Sequence, residues 1–174
     1  MKMNPNDFNA LVDLYKSGKT KEVEDGAKSL IKKFPKEIIL HNLLGAVYLE
    51  MKELDLVQHA IKAQKNSQSK YSNFPVGCAI LCDDNSIIYG CNIESAVYPS
   101  TLCAERVAIY SALSQGLTKF KAIAIVSNNS AKPCGSCRQI MHEYLGNIPI
   151  YISDSKGQEF TTHYIKNLLP YPFG

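Results

Sequence analysis

Residues 122–152, AIAIVSNNSAKPCGSCRQIMHEYLGNIPIYI, decide the fold. Ala122 to Val126 is an apolar run short enough for a buried strand, and Ile148 to Ile152 is a second. Between them, Cys134 to Leu145 carries apolar residues at helical spacing and stops at Gly146. A strand, a helix and a strand joined this tightly make a parallel pair with the helix packed across it, which marks a layered α/β domain. Upstream, Cys103 to Gln115 reads as another helix, with Val107, Ala108, Ile109 and Leu113 apolar and Gly116 after it. Val76 to Leu81 and Ile87 to Cys91 read as two strands, with Asp83, Asp84 and Asn85 as the turn between them. Downstream, Thr162 to Leu168 reads as a final short helix.

The first third of the chain has a different grammar. Phe8, Leu11, Leu14 and Tyr15 form one apolar helical face, Val23, Ala27, Leu30 and Ile31 a second, and Gly18 separates them. Pro35 ends the second helix, Ile38 to Met51 forms a third, and Leu56 to Asn66 a fourth. A shift of 34 residues lays Leu11 on Gly45, Leu14 on Tyr48, Val23 on Val57 and Ala27 on Ile61, the small and apolar positions of a tetratricopeptide repeat. His41, Leu44, Gly45 and Tyr48 resemble the start of that repeat, with His in place of its Trp. The expectation is an all-α, repeat-like extension over residues 1–53, with a possible protein partner, followed by an α/β domain over residues 54–174. Leu56 to Asn66 satisfies both patterns, so the two parts are expected to share a helix.

Composition narrows the function classes. With 174 residues, 45% apolar content and 20% charge, the chain has the make-up of an ordinary globular protein. A net charge of +3 is mild, and Lys65, Lys70, Lys119 and Lys121 form no polybasic tract, which argues against nucleic acid as a partner. No stretch approaches the roughly 18 apolar residues of a membrane span. Met1 to Asn9 is polar and lacks the apolar core of a signal peptide, so a cytoplasmic protein is expected. Cys78, Cys82 and Cys91 lie in strand-like segments and read as small buried hydrophobes.

The other three cysteines carry chemistry. Cys103, Cys134 and Cys137 can hold a Zn²⁺ ion as thiolates with a fourth position open, and Glu105 is two residues from one of them. Cys103 and the Cys134/Cys137 pair fall at helix N-termini, where free N–H groups favour thiolate over thiol. Glu105 is not on the same helical face as Cys103, which suits a proton carrier better than a ligand. Only two of the 19 basic residues are Arg, and these, Arg106 and Arg138, lie within three residues of a motif cysteine. Three thiolates leave the ion site with a net charge of about −1, which guanidinium groups donating to the sulfurs would drain. Pro-Cys-x-x-Cys by itself also serves structural zinc modules and thioredoxin-like redox proteins. A structural zinc site would require a fourth ligand, and His41, His59, His142 and His163 lack motif spacing. The redox reading leaves Cys103 and Glu105 unexplained.

Cys-x-Glu followed by Pro-Cys-x-x-Cys matches the nucleobase-deaminase signature with Cys replacing its His. Four blocks make the match closer: Tyr71-Ser-Asn-Phe-Pro-Val-Gly77, Gly90-Cys-Asn-Ile-Glu94 with Ala96, Tyr98 and Pro99 behind it, Cys103-Ala-Glu-Arg106, and Pro133-Cys-Gly-Ser-Cys-Arg-Gln139. A fifth, Leu168-Leu-Pro-Tyr-Pro-Phe-Gly174, closes the chain. From about Asp55 onward, roughly two thirds of the sequence resembles the homotetrameric, three-cysteine cytidine deaminases. The resemblance implies a three-layer domain with a mixed five-stranded sheet between helices. It also implies hydrolytic deamination of cytidine or deoxycytidine in pyrimidine salvage, with a nucleoside as the small-molecule substrate and Zn²⁺ as the cofactor. Asn92 and Glu94 are expected to grip the ribose 3′-hydroxyl and Phe74 to line the base pocket. Ala96 belongs to the same block, and the backbone N–H of Ala104 and the Cys134 region are expected to donate to the new oxygen. Tyr98 and Phe173 are expected to reach a neighbouring subunit's nucleoside. One departure stands out: Ser95 replaces the Asn common after Asn-Ile-Glu. A related deaminase acting on an aminonucleoside antibiotic or a polynucleotide is the rival, and a free-ribose grip weighs against both.

Overall fold

The computed structural model describes residues 3–174, and the chain divides into two compact units with the boundary between Glu53 and Leu54, the second being Leu54–Gly174. The first unit holds α1 (Pro5–Lys16), α2 (Thr20–Lys33) and the start of α3 (Ile38–Gln64). Asn4 caps α1 through its side chain, and Gly18 turns the chain after it with φ +74°. Leu11, Ala27 and Leu40 are buried together, with Phe8, Leu14 and Leu30 packed around them. Glu24 is buried too, its carboxylate held by Lys28 at 2.6 Å and Lys21 at 3.0 Å. Residues 38–51 and 56–66, read from sequence as separate helices, are joined through one continuous helix as far as Gln64. Lys52-Glu-Leu-Asp55 contains no Gly or Pro, and its residues sustain a helix with little penalty.

The second unit is built on a sheet with strand order β2-β1-β3-β4-β5, from β1 (Val76–Cys82), β2 (Ile87–Cys91), β3 (Phe120–Ser127), β4 (Pro149–Ser153) and β5 (Phe160–Tyr164). β3 and β4 are parallel, joined through α5 (Gly135–Leu145), and the remaining pairs are antiparallel. The sheet is therefore mixed. A last helix, α6 (Ile165–Leu168), follows β5 directly, so the helix expected from Thr162 begins only at Ile165. Phe160-Thr-Thr-His-Tyr164 is rich in aromatic and β-branched residues, which suit a pleated edge strand.

Strand alternation assigns the two faces of the sheet. Cys78, Ile80, Ile123, Ile125, Ile150 and Ile152 face α5 and α4 (Ala104–Ser114), meeting Ala108, Ile109, Met141 and Leu145. Ala79, Ala122, Ala124 and Val126 face Leu56, Val57 and Ala60 of α3. Bulky side chains fill the first interface, whereas the second is close because its residues are small. At Gly77 an added Cβ would come within 2.1 Å of the Ala60 carbonyl oxygen, so only glycine lets β1 approach α3 there. Gly90 plays the same part for β2 against α4.

Candidate active site

Two helix starts carry the sulfurs. Cys103 and Cys134 are the N-cap residues of α4 and α5, both with extended backbone, and neither side chain bonds to a first-turn N–H. Those N–H groups remain available to favour negative charge at the sulfurs. Cys137 follows in the first turn of α5 and is buried. The Sγ atoms of Cys103, Cys134 and Cys137 lie within 4.8 Å of one another, with Cys103 and Cys134 3.9 Å apart. A tetrahedral zinc with bonds of about 2.3 Å requires sulfurs about 3.8 Å apart, so the donor set fits the ion. Among the described residues no His, Asp or Glu atom joins this cluster.

Electrostatics at the cluster point the same way. The Cys137 thiol beside it, and then the Arg106 guanidinium, pull Cys103 down to about 5, while the same pairing and burial push Cys137 up. Arg106 Nη2 lies 3.9 Å from the Cys103 sulfur and donates to the Thr101 carbonyl at 3.0 Å. Arg138 corrects the sequence reading. Its Nε donates to the Pro133 carbonyl at 2.7 Å and its Nη1 to the Leu168 carbonyl at 2.7 Å, with no sulfur among its partners in the described residues. A guanidinium rooted in the first turn of α5 reaches the carbonyl just ahead of Cys134 more readily than its sulfur. It fixes the loop that delivers Cys134 rather than the charge on the sulfurs.

Glu105 is buried at 4% exposure, and burial pushes its carboxyl up to about 7. A group balanced near neutrality can both take and give a proton at physiological pH. It lines a cleft of about 380 Å³ together with Cys103, Cys134, Phe74, Asn92 and Glu94. A short backbone ladder brings these together: Ile93 and Leu102 exchange two hydrogen bonds, Gln68 N–H donates to Asn92 at 2.9 Å, and Glu94 N–H donates to Gln68 at 3.1 Å. Asn92 and Glu94, on either side of the bridging residue Ile93, are thereby held opposite the start of α4.

The other expected contacts stand apart from this cleft. Ala96, Tyr98 and Phe173 do not line it; Tyr98 is 74% exposed and Phe173 88%. Phe173 is nevertheless anchored, since its backbone exchanges hydrogen bonds of 3.0 and 2.9 Å with the Gln139 side chain. Ala104 is buried behind Cys103. Ser95 finds its own bonding: its N–H donates to Thr101 Oγ1 and its hydroxyl accepts from Val97 N–H, each at 3.1 Å.

Comparison with known proteins settles the family. Residues 51–150 match the cytidine and deoxycytidylate deaminase zinc-binding region. The chain belongs to the cytidine deaminase family. A cytidine deaminase of Sporosarcina psychrophila is 43% identical over 122 residues, covering 68% of this chain and 88% of the relative. One from Halalkalibacterium halodurans is 41% identical over 123 residues, covering 68% and 91%. Among solved structures, cytidine deaminase from Burkholderia pseudomallei superposes with a TM-score of 0.64 at 36% identity, over 68% of this chain and 97% of that one. Family membership and the sulfur geometry together make Cys103, Cys134 and Cys137 the zinc site.

Several cleft residues receive no role from the sequence alone. Ser72, Thr101, Ser127 and Lys132 line the cleft, and Ser67 bonds to Asn92 from behind it. Ser127 is buried and accepts from Ala131 N–H at 2.7 Å, which steadies the loop entering Cys134. Ser72 sits inside the Tyr71–Gly77 block, and the position of that block beside Asn-x-Glu is the one clue that could have pointed to it.

Proposed function

We propose that the chain hydrolyses the 4-amino group of cytidine and deoxycytidine, releasing ammonia and the uridine nucleoside for pyrimidine salvage. The observation that carries this is the buried Glu105 carboxyl in the same cleft as the Cys103–Cys134–Cys137 cluster. Zinc held by those three thiolates supplies Lewis acidity that brings the pKa of water down towards about 7. Glu105 accepts the first proton of the attacking water and gives it to N3 of the pyrimidine. It then moves the second to the departing amine, which leaves as ammonia while the water oxygen stays on C4. The Ala104 N–H donates to that oxygen. Phe74 packs on the base, and Asn92 and Glu94 hold the ribose 3′-hydroxyl.

A homotetramer completes this reading, with Ala96, Tyr98 and Phe173 serving a neighbour's nucleoside. Support at Tyr98 comes from a patch rather than a single residue: its ring meets that of Tyr71 edge-on at 6.4 Å, Val97 precedes it, and all three are exposed. Contiguous apolar surface of this kind marks an interaction site. The repeat-like helices of residues 1–53 are accessory to the chemistry and available to a protein partner; every residue that lines the cleft belongs to Leu54–Gly174.

An absorbance assay with cytidine, deoxycytidine and cytosine, combined with metal analysis, tests the function. Turnover of both nucleosides, none of the free base, and about one zinc per chain are expected. Activity on cytosine, or on neither nucleoside, would refute the assignment. A chain that starts at Leu54 should keep its zinc and its kcat within about twofold. Loss of both, measured on purified protein, would place the helices in the catalytic core.

A further inference from the structure

Asn92 and Glu94 spend most of their hydrogen-bonding capacity on the protein itself. Asn92 Oδ1 accepts from Ser67 Oγ at 2.6 Å and from Val76 N–H at 2.8 Å, which fills both of its lone pairs. Its Nδ2 donates one hydrogen to the Phe74 carbonyl at 2.9 Å, leaving the other free. These partners also fix the orientation of the amide, since a flipped group would set the Val76 N–H against –NH₂ and the Phe74 carbonyl against the amide oxygen. Glu94 Oε2 accepts from Tyr71 N–H at 2.8 Å and Ser72 N–H at 3.1 Å, and Oε1 accepts from the Ser72 hydroxyl. One lone pair on Oε1 is left. The same donors, the Ser72 hydroxyl first, hold the Glu94 carboxyl below the usual carboxylate range, so it stays ionised.

One donor and one acceptor remain, and a single hydroxyl needs both. Building on the nucleoside reading above, we propose that Ser67 and Ser72 are positioning residues that reduce Asn92 and Glu94 to a reader of one sugar hydroxyl, the 3′. A second hydroxyl would find no partner in the pair. Ser72 has the larger share because its side chain and its backbone both grip the carboxylate, and its hydroxyl also accepts from Phe74 N–H at 3.1 Å. Without that hydroxyl, Oε1 loses its one fixed donor and the free lone pair loses its direction.

The test pairs Ser72→Ala with changes in the substrate. Holoenzyme kinetics are measured with cytidine, 2′-deoxycytidine and 3′-deoxycytidine for the wild type, Ser72→Ala, Ser72→Thr and Ser67→Ala. Ser72→Ala should lose about tenfold in kcat/KM on cytidine and 2′-deoxycytidine, carried by KM with kcat near wild type. On 3′-deoxycytidine it should match the wild type, because the hydroxyl that Glu94 would hold is missing. Ser72→Thr, which keeps the hydroxyl, should recover most of the loss, and Ser67→Ala should show the same partition more weakly. An equal loss on all three substrates means that Ser72 only supports the loop, and no loss on any means that it does not orient Glu94; either overturns the inference. Wild-type enzyme inactive on all three would overturn instead the nucleoside deaminase reading on which the inference rests.

Discussion

Replacing Glu105 with Gln should lower kcat on cytidine by about a thousandfold or more while the protein keeps near one zinc per chain, because proton transfer is lost and the sulfur cluster is untouched. Glutamine matches glutamate in shape, so the 4%-exposed site stays filled. It can donate and accept hydrogen bonds but cannot carry a proton from water to the base. The three donor sulfurs lie within 4.8 Å of one another without any Glu105 atom among them. Inductively coupled plasma analysis beside a stopped absorbance assay separates the outcomes: zinc lost together with activity would make Glu105 a ligand, and activity retained would make it a bystander. The metal-free protein adds a sign that can be checked. Burial holds the Glu105 carboxyl up to about 7 against an ordinary 4.5, so the metal-free fold loses stability as pH rises through that window. Below pH 4.5 the carboxyl is protonated in both states and the penalty is absent. Glu105→Gln should flatten that part of the stability curve.

Gly90→Ala should be, with Gly77→Ala, among the most damaging single-methyl changes in the domain. A Cβ built there lies 2.2 Å from the Ala104 carbonyl oxygen and 2.6 Å from the Ala108 nitrogen, both backbone atoms that cannot rotate away. The strand must then leave the helix or the helix must leave the strand. Overpacking a core commonly costs about 1–3 kcal/mol, and a backbone clash on this scale belongs at the upper end or beyond. A melting point lower by about 10 °C is expected for a unit of this size. The damage is chemical as well as structural, because α4 begins at Ala104 and carries Glu105 and Arg106, with Cys103 as its cap. Zinc content should fall with stability. Gly45→Ala is the contrast: it is helical, has open space around its Cβ, and should be neutral or slightly stabilising. Thermal melts of the two variants decide the matter, and a Gly90→Ala protein that melts like wild type would show that α4 does not rest on β2 this closely.

The errors in the sequence reading share a cause. Ile165 and Leu168 repeat at helical spacing, and that signal pulled the helix start back to Thr162 across an edge strand whose exposed residues show no alternation of their own. The break expected between Met51 and Leu56 came from matching a repeat pattern, while the local residues offered no stop signal. Arg138 is next to Cys137 in sequence, but proximity along the chain does not set direction. Reach along the first turn of α5 instead aims its guanidinium at the Pro133 and Leu168 carbonyls.

Local chemistry wrote much of this protein directly into its sequence. Apolar runs of strand length around a helix gave the parallel β3–β4 pair, and glycines gave the helix ends at Gly116 and Gly146. Residue types at fixed spacing gave the three thiolates and the carboxylate between them. Those are short-range facts, set by a few neighbouring residues. Whether three sulfurs from two helices come within bonding range of one ion, and how many hydrogen bonds Asn92 and Glu94 have left, depends on segments far apart in the chain. Ser67, Ser72 and Val76 reach Asn92 and Glu94 only because the Ile93–Leu102 and Gln68–Ile93 bridges close, and Gly90 allows α4 near enough for Cys103 to meet Cys134. Those distances are products of packing, which no spacing in the sequence encodes.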